Sequence, residues 1–391
     1  MSALDQSRGA TPARVALVHD YLNQYGGAER VLEVFHELYP SAPVYTSIYA
    51  PELMPPAYRA WDVRASFMQR LPGIHRHHQP YLPLYPLAFR RLRLADVDLV
   101  LSDSSAFAKG ARVPPSAVHV CYVHSPMRFA WDFARYADRE RFTGTLRRAL
   151  PPLLAGLRRW DIASAGGVDY LIANSSAVAR RIAAYWGREA SVIYPPVETE
   201  AAEPVAPGEV EDYFLLVSRL VPYKRFDVVV DAFNALGLPL KVVGEGRARA
   251  ELERRAGPTV QFLGAVSDAE KYRLYARCQA ALFPAEDDFG IAQVEVQAAG
   301  RPAIALAAGG ALDTVVDGQT GVLFPEQTPE AIVAAVRRMQ SLSFAPEPIA
   351  RHAARFSRAR FAREIATFVS SCLEAGPIRG RALAEARPSW N

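Results

Sequence analysis

The sequence has few cysteines and no long apolar run. Its three cysteines, Cys121, Cys278 and Cys372, lie far apart in the 391-residue chain without CxxC spacing, which argues against a disulfide framework or a zinc site. No segment reaches the roughly 18 apolar residues that a membrane-spanning helix needs. Residues 1–11 are polar and lack the apolar segment of a signal peptide. We therefore expect a reducing, cytoplasmic location, at most peripheral on the inner face of the cell membrane.

The sequence also lacks a large excess of either charge, since it contains 45 Lys and Arg residues and 41 Asp and Glu residues, which give a net charge of +4. Half of the residues are hydrophobic and 22% are charged, a balance that excludes disordered and fibrous chains. A chain of this length exceeds the usual size of one hydrophobic core. Two domains are therefore expected.

Short apolar runs recur along the chain, and each is followed by polar residues or glycine and then by a helical pattern. This repeat predicts α/β folding with parallel sheets covered by helices on both faces. In the first half the predicted strands are residues 15–20, 97–102, 118–123 and 170–174. In the second half they are residues 213–218, 240–244, 260–263, 280–284, 303–306 and 321–324.

Residues 198–212 are rich in Glu, Ala, Pro and Gly and lack apolar periodicity, as is typical of a linker between domains. We therefore predict doubly wound domains over residues 1–197 and 213–357, facing a cleft at the carboxyl ends of their strands. A helix over residues 358–375 is expected to pack back on the first domain. Residues 376–391 are expected to form a loosely held tail.

An acidic loop follows the predicted strand at 280–284. Asp287 lies in this loop, and Glu295 lies in the otherwise apolar helix that begins after Phe289 and Gly290. A buried carboxylate needs hydrogen-bond donors, which ribose hydroxyls supply, and the free amides near Gly290 favour a diphosphate. The alternative is a solvated acidic loop with Glu295 paired to a nearby arginine.

A basic loop follows the first strand of the second half. Arg219 and Lys224 are spaced so that both can reach over one strand-to-helix loop, where they would offer a guanidinium fork and a point charge to a departing diphosphate. The alternative is a solvated loop without function.

Histidines follow two predicted strands of the first half. His124 comes after the run 118–123, and His19 lies beside a glycine loop. Each could serve a reaction or could bond a backbone carbonyl at a strand end. His75, His77 and His78 have no carboxylates near them in the sequence, so we predict no metal site there.

Residues 64–93 mix cations with aromatics and contain no Asp or Glu. Such a surface attracts anionic lipid headgroups, so we predict a peripheral membrane contact or a site for a lipid-linked acceptor. The alternative is ordinary helix packing with arginines outside. Nucleic acid is not an expected partner, because no reader motif accompanies the run.

Several segments together resemble the retaining glycosyltransferases of family 4, which have the GT-B fold of two Rossmann-like domains. The resemblance extends from about residue 15 to 368. It rests on residues 26–30, residues 219–224, Asp287 and Glu295 with Phe289-Gly290, residues 309–313 and residues 317–321. Residues 124–128 with Trp131-Asp132 are similar to the mannosyltransferase-like branch that works in O-antigen and exopolysaccharide assembly.

The resemblance implies roles for these residues. Arg219 and Lys224 would hold the donor diphosphate, and Glu295 would hold the ribose. His124 would lie over the transferred sugar, and Gly26 and Gly27 would let the first loop approach donor or acceptor. The donor-sugar side of the site would comprise Asp287 and the chain at Phe289, Gly290 and Ile291. Family members have Glu where this chain has Asp287, with Glu286 beside it, so either carboxylate could serve.

The resemblance also implies an activity, namely transfer of a hexose with retention of configuration. The expected donor is a nucleoside-diphosphate sugar, GDP-mannose in that branch, and the expected acceptor is a lipid-linked or growing saccharide. No metal or other cofactor is expected, because Arg219, Lys224 and backbone amides would neutralise the diphosphate. The alternatives are another reaction of a nucleotide sugar, epimerisation or phosphorolysis, and a non-catalytic subunit of a polysaccharide assembly complex.

Overall fold

The computed structural model describes residues 13–132 and 145–379, which form two compact units. The first unit contains residues 13–127, 156–172 and 366–379, and the second contains residues 128–132, 145–155 and 173–365. The polar residues 1–11 and the predicted tail beyond residue 379 lie outside the described residues. The domain limits drawn from the sequence stay predictions.

The first sheet has seven strands in the order β3-β2-β1-β4-β5-β6-β7. Its strands are β1 (Val15–His19), β2 (Val44–Thr46), β3 (Val63–Ala65), β4 (Leu99–Ser104), β5 (Val118–Val123), β6 (Tyr170–Ala173) and β7 (Ser191–Val192). β1 pairs in parallel with both β2 and β4. The strand order therefore reverses direction beside β1, which is the place where open α/β sheets bind ligands.

The second sheet has six strands in the order β10-β9-β8-β11-β12-β13. Its strands are β8 (Phe214–Val217), β9 (Leu240–Val243), β10 (Val260–Gly264), β11 (Ala281–Phe283), β12 (Ala303–Leu306) and β13 (Gly321–Phe324). β8 pairs in parallel with β9 and β11. The reversal of strand order here lies between β8 and β11, the two strands that precede the predicted basic and acidic loops.

Helices connect the strands. The α-helices of the described residues are α1 (Gly27–Leu38), α2 (Tyr85–Arg90), α3 (Arg128–Trp131), α4 (Thr145–Gly166), α5 (Ser176–Trp186), α6 (Phe226–Leu236), α7 (Arg249–Arg255), α8 (Asp268–Arg277), α9 (Ile291–Ala298), α10 (Ala311–Thr314), α11 (Pro329–Ser341), α12 (Pro346–Ala353) and α13 (Arg358–Ala375). Short 3-10 helices lie at Pro56–Ala60, Phe67–Arg70, Gln79–Leu84, Ala108–Gly110, Pro207–Glu209, Pro222–Lys224 and Ala354–Phe356. No helix within residues 13–132 and 145–379 has the length and apolar character needed to cross a membrane.

Both faces of the second sheet are buried. Leu216 of β8 and Ile304 of β12 pack in one apolar cluster, whereas their neighbours Leu215 and Ala305 pack in another. Strands that are buried on both faces read as continuous apolar runs rather than as alternating patterns. The predicted parallel sheets are therefore confirmed, and burial on both faces explains why their strands could be recognised as apolar runs in the sequence.

Three strands of the first sheet were not predicted. β2, β3 and β7 have three, three and two residues, which is too short for an apolar run to stand out in the sequence. They extend the sheet at both edges, and β3 contributes to a basic pocket described below.

Candidate functional site

Four ionisable side chains cluster at the carboxyl ends of β1, β4 and β5 in the first unit. His19 ends β1 and lies in register with Asp103 of β4, and its Nδ1 is 2.9 Å from Asp103 Oδ2. His19 Nε2 is 3.3 Å from Glu29 Oε1 on α1. His124 follows β5, and its Nε2 contacts the other oxygen of Asp103. Asp103 therefore joins two imidazoles.

This cluster shifts the proton affinity of its members. Burial disfavours the charged form of His19, but hydrogen bonds to Asp103 and Glu29 outweigh burial and raise the pKa of His19 to about 10. Burial also opposes the charge of His124, yet Asp103 raises the pKa of His124 above its ordinary value. The pKa of Asp103 is lowered, because the two imidazoles outweigh its burial. At neutral pH His19 is therefore protonated, and Asp103 also favours the protonated form of His124.

The loop beside this cluster is fixed by Asp20, the residue after β1. The two carboxylate oxygens of Asp20 accept hydrogen bonds from four successive backbone amides, those of residues 105–108, at 2.5–2.8 Å.

At Gly26 an added Cβ would lie 3.4 Å from the Glu29 carboxylate, an ordinary contact, and the Gly26 backbone is extended at φ −165°. Neither packing nor conformation within the described chain therefore requires glycine at position 26.

In the second unit, the cation and the acid predicted to hold the donor contact one another. Lys224 Nζ is 2.5 Å from Asp287 Oδ1, and both side chains are mostly buried. Arg219 is exposed, and its guanidinium forms no ion pair with any residue of the described ranges. The loop that carries Arg219 is held by the Leu220 amide, which donates to the Glu245 carbonyl at 2.8 Å. Arg219 and Lys224 thus lie on one fixed loop after β8.

The other two acids of the loop after β11 are bound by a different cation. Arg181 of α5 contacts Glu286 Oε1 at 2.7 Å and also pairs with Asp288. Arg128 adds a contact of 3.1 Å to Asp288. Asp287 therefore faces the basic loop, whereas Glu286 is held by Arg181.

Two glycines after β12 press against the acidic loop. A Cβ at Gly309 would lie 2.2 Å from the Asp287 carbonyl oxygen, and one at Gly310 would lie 2.3 Å from Phe289 Cα. The Gly310 amide donates to the Asp287 carbonyl at 2.9 Å. Gly309 also has φ +63°, a conformation that favours glycine. The positions of Asp287 and Phe289 therefore depend on the absence of side chains on the neighbouring loop.

The helix α9 starts beside these contacts. Gly290 is its N-cap and provides no side-chain hydrogen bond, so the first amides, including that of Ile291, lack a capping side chain. Phe289 is only 3% exposed, and its ring packs against Tyr194 and Phe356. A ligand could thus meet the backbone at Phe289 and Gly290 rather than the Phe289 ring.

Glu295 is buried at 4% exposure, and protein groups surround its carboxylate. Lys271 Nζ and the Tyr272 hydroxyl lie 3.4 Å from Oε1, and the Tyr275 hydroxyl lies 3.3 Å from Oε2. Burial and the adjacent Glu295 charge raise the pKa of Tyr275 well above its ordinary value. Lys271 therefore places a positive charge beside the buried carboxylate.

Several residues of these clusters were absent from the sequence prediction. Asp103 carries a signal in retrospect, since it is a carboxylate that closely follows the apolar run 99–101 at the end of β4. Arg181 and Lys271 carry none, because each reaches its partner across more than 20 residues of sequence. Within the described residues no group of three or more His, Cys, Asp and Glu side chains has the geometry to hold a metal ion.

Comparisons with known proteins match both halves of the chain. The family described as Glycosyltransferase Family 4 matches residues 25–201, and the family described as Glycosyl transferases group 1 matches residues 198–357. Both are families of glycosyltransferases, and together they match residues 25–357 of this chain. The two matches meet between the predicted halves, and between them they contain Asp103, His124 and the Lys224–Asp287 pair.

Individual relatives match only part of this chain. Glycogen synthase of Pseudomonas aeruginosa is 34% identical over 142 residues, which cover 34% of this chain and 28% of the synthase. O-antigen chain mannosyltransferase C of Escherichia coli is 29% identical over 137 residues, which cover 33% of this chain and 37% of that protein. The matched stretches thus span about a third of each relative's length.

A solved structure matches over more of the chain. Anabaena Alr3699/HepE, in complex with UDP and glucose, has a TM-score of 0.68 and 20% identity, and the match covers 92% of this chain and 100% of that one. This likeness, together with the two parallel sheets, confirms the predicted GT-B fold of two Rossmann-like domains.

Proposed function

We propose that this protein is a glycosyltransferase that moves a hexose from a nucleoside-diphosphate sugar to a saccharide acceptor with retention of anomeric configuration. The observation that carries the proposal is the arrangement after β8 and β11, where Arg219, Lys224, Asp287 and the start of α9 share one end of the second sheet. Cations beside uncapped helix amides form a site suited to a diphosphate.

Each group of this arrangement has a role in the proposed complex. Arg219 has no carboxylate partner in the described chain and is available to the phosphates. Lys224 exchanges its contact with Asp287 for a phosphate oxygen, and Asp287 then accepts hydrogen bonds from sugar hydroxyls. Glu295 accepts hydrogen bonds from the ribose, because an ionised carboxylate can accept from more than one donor.

The proposed reaction needs no covalent enzyme intermediate. The acceptor hydroxyl attacks the anomeric carbon on the face from which the diphosphate leaves, the bond from that carbon to the phosphate oxygen breaks, and the hydroxyl proton passes to the departing phosphate. Negative charge grows on the diphosphate during this step, so Arg219 and Lys224 stabilise the transition state more than the ground state.

The transferred sugar is proposed to be mannose from GDP-mannose, and the acceptor a lipid-linked or growing saccharide of a surface polysaccharide. The mannosyltransferase among the relatives supports this choice. UDP-glucose is the comparison donor, because Anabaena Alr3699/HepE has also been crystallised with it. A screen of GDP-, UDP- and ADP-sugars by thermal shift tests the base, since a donor at about 100 times its Kd stabilises the fold by about 2.7 kcal/mol.

Lys224→Ala tests the role of the cation, and Arg225→Asn is the matched control. Arg225 is the adjacent cation, its side chain pairs with Asp227 at 3.1 Å, and asparagine tolerates its φ of +54°. Loss of transition-state stabilisation predicts a fall of about 100-fold in kcat for Lys224→Ala, with kcat of Arg225→Asn nearly unchanged. Equal losses in both variants would refute the assignment.

Product analysis with and without a saccharide acceptor tests the reaction class. Acceptor-dependent release of the nucleoside diphosphate is expected. Donor conversion that is independent of acceptor would instead indicate epimerisation, and donor binding without any turnover would indicate a non-catalytic subunit.

A further inference from the structure

A basic pocket of about 300 Å³ lies at the edge of the first sheet, outside the site described above. It lies among Tyr45 of β2, the end of β3 and the C-terminal end of α2, and three of its lining residues are arginines. The lining residues are Tyr45, Arg64, Ala65, Ser66, Phe67, Ala88, Arg91, Leu92 and Arg93. This volume is at the lower end of the range for small-ligand sites.

The charge of the pocket is only partly balanced. Arg64 donates to Asp62 at 2.6 Å and to the Tyr45 hydroxyl at 2.8 Å. Arg91 and Arg93 are exposed and form no ion pair with any carboxylate in the part of the chain that the structure describes. Two unpaired guanidinium groups beside a cavity favour a multiply charged anion, to which each can donate two hydrogen bonds.

Exposed apolar side chains accompany the arginines. Phe67, which lines the pocket, is 38% exposed, and Leu87, which precedes the lining residue Ala88 in the sequence, is 39% exposed. The Arg91 guanidinium lies 6.0 Å from the Phe67 ring centroid. Exposed apolar side chains beside unpaired cations are typical of surfaces that rest on anionic lipid. A soluble anion would not require these apolar neighbours.

The pocket lies at the same end of the sheet as His19. Ala65 is level with Thr46, and Thr46 is level with His19, so two strand spacings, about 10 Å, separate β3 from β1. A ligand whose phosphate occupies the pocket could therefore extend along the strand ends toward the His19–Asp103–His124 cluster.

We propose that this pocket binds the phosphate or diphosphate group of a polyprenyl-linked substrate, with Arg91 and Arg93 as the main ligands. Anion binding in the pocket is independent of the proposed function, whereas the use of the bound lipid as glycosyl acceptor rests on it. Arg64 holds one wall of the pocket through Tyr45, and Phe67 and Leu87 contact the lipid surface.

Calorimetric titration of the full chain with inorganic pyrophosphate tests the pocket. Two sites are expected, because the donor site also binds a diphosphate. Arg91→Ala/Arg93→Ala should remove one site, and Arg219→Ala should weaken the other. The matched control is Arg70→Ala/Arg76→Ala, which removes the same charge from exposed positions outside the pocket and should keep both sites.

The outcomes separate the two assignments. Unchanged pyrophosphate binding by Arg91→Ala/Arg93→Ala would overturn the pocket proposal, whatever the result for Arg219→Ala. An equal loss in the Arg70→Ala/Arg76→Ala control would overturn it too, since diffuse charge rather than the pocket would then attract the anion.

Vesicle flotation tests the lipid source of the phosphate. The protein should bind phosphatidylcholine vesicles that contain polyprenyl phosphate and should not bind vesicles of phosphatidylcholine alone. Arg91→Ala/Arg93→Ala should weaken this binding by about tenfold or more, with the Arg70→Ala/Arg76→Ala control close to wild type. Pyrophosphate binding in the pocket without any vesicle binding would contradict the lipid assignment and indicate a soluble anion.

Discussion

Lys224 and Asp287 form an ion pair, with 2.5 Å between Nζ and Oδ1. Both residues are assigned to the nucleotide-sugar donor, the cation to its diphosphate and the acid to its sugar. In the protein without a donor, the charge of each of these two side chains is therefore balanced by the other. Donor binding must break this pair. The affinity for a nucleoside diphosphate therefore depends on how much more strongly Lys224 interacts with a phosphate than with the Asp287 carboxylate.

Asp287→Asn should consequently separate binding from catalysis. The substitution releases Lys224, so affinity for the nucleoside diphosphate without sugar should rise by about fivefold, as expected for loss of a partly buried pair of about 1 kcal/mol. The kcat for transfer should fall, because asparagine accepts fewer hydrogen bonds from sugar hydroxyls. Calorimetry and steady-state kinetics measure the two effects. Glu286→Gln is the control and should leave affinity for the diphosphate unchanged, because Arg181 holds that side chain.

Glu295 is assigned both a structural and a ligand-binding role, and two substitutions distinguish them. Tyr275→Phe removes a hydroxyl that contacts Glu295 and should lower the free energy of unfolding by about 1 kcal/mol without weakening donor binding. Glu295→Gln keeps the shape of the side chain but should raise the donor Kd at least severalfold, because the ribose loses a charged acceptor. Urea denaturation and donor titration provide the readouts. A normal donor Kd in Glu295→Gln would assign this carboxylate to folding alone.

Local sequence patterns predicted the sheets well where strands are buried on both faces. The run at 118–123 coincides with β5, and that at 303–306 coincides with β12, because short continuous apolar runs bounded by polar residues are typical of fully buried strands. β2 and β3 were missed because three residues provide no pattern. The loops after β8 and β11 could be predicted from the sequence, because the polar residues of each loop lie within a few positions of a strand end.

The contacts between distant residues could not be predicted in the same way. The contact between His124 and Asp103 depends on β4 and β5 being neighbours in register, and sheet order is a property of the whole fold. The contact of Lys271 with Glu295 depends on how α8 packs against α9. The sequence therefore identified residues that could bind a donor, whereas the groups that tune those residues became visible only in the folded chain.

The contact between two loops of the second unit predicts a specific effect of an added methyl group. Gly309→Ala places a Cβ about 2.2 Å from the Asp287 carbonyl, so the acidic loop must shift and donor affinity should fall by about tenfold or more. Gly318→Ala is the control, because Gly318 has a similar φ of +75° but its Cβ would meet nothing closer than 3.7 Å. Both variants should lose about 1 kcal/mol of stability from backbone strain, and calorimetry should find weaker donor binding only in Gly309→Ala. Equal donor affinity in the two variants would contradict the close approach.

The His19–Asp103–His124 cluster predicts a dependence of stability on pH. His19 has a pKa of about 10 in the folded chain and 6.5 ordinarily, so its contribution is complete below pH 6.5 and is lost as pH rises to about 10. The folded pKa of Asp103 lies below 3.8, so its contribution is present above pH 3.8 and is lost as pH falls through the folded value. The free energy of unfolding should therefore decrease between pH 6.5 and about 10, with a slope of up to about 1.4 kcal/mol per pH unit from His19.

Asp103→Asn should flatten this slope, because the pKa of His19 then returns toward its ordinary value. The control is Asp98→Asn, which removes an exposed carboxylate paired with Arg14 and should retain the wild-type slope. Urea denaturation at a series of pH values measures the slope for each protein. Identical slopes in wild type, Asp103→Asn and Asp98→Asn would show that Asp103 does not hold the proton on His19.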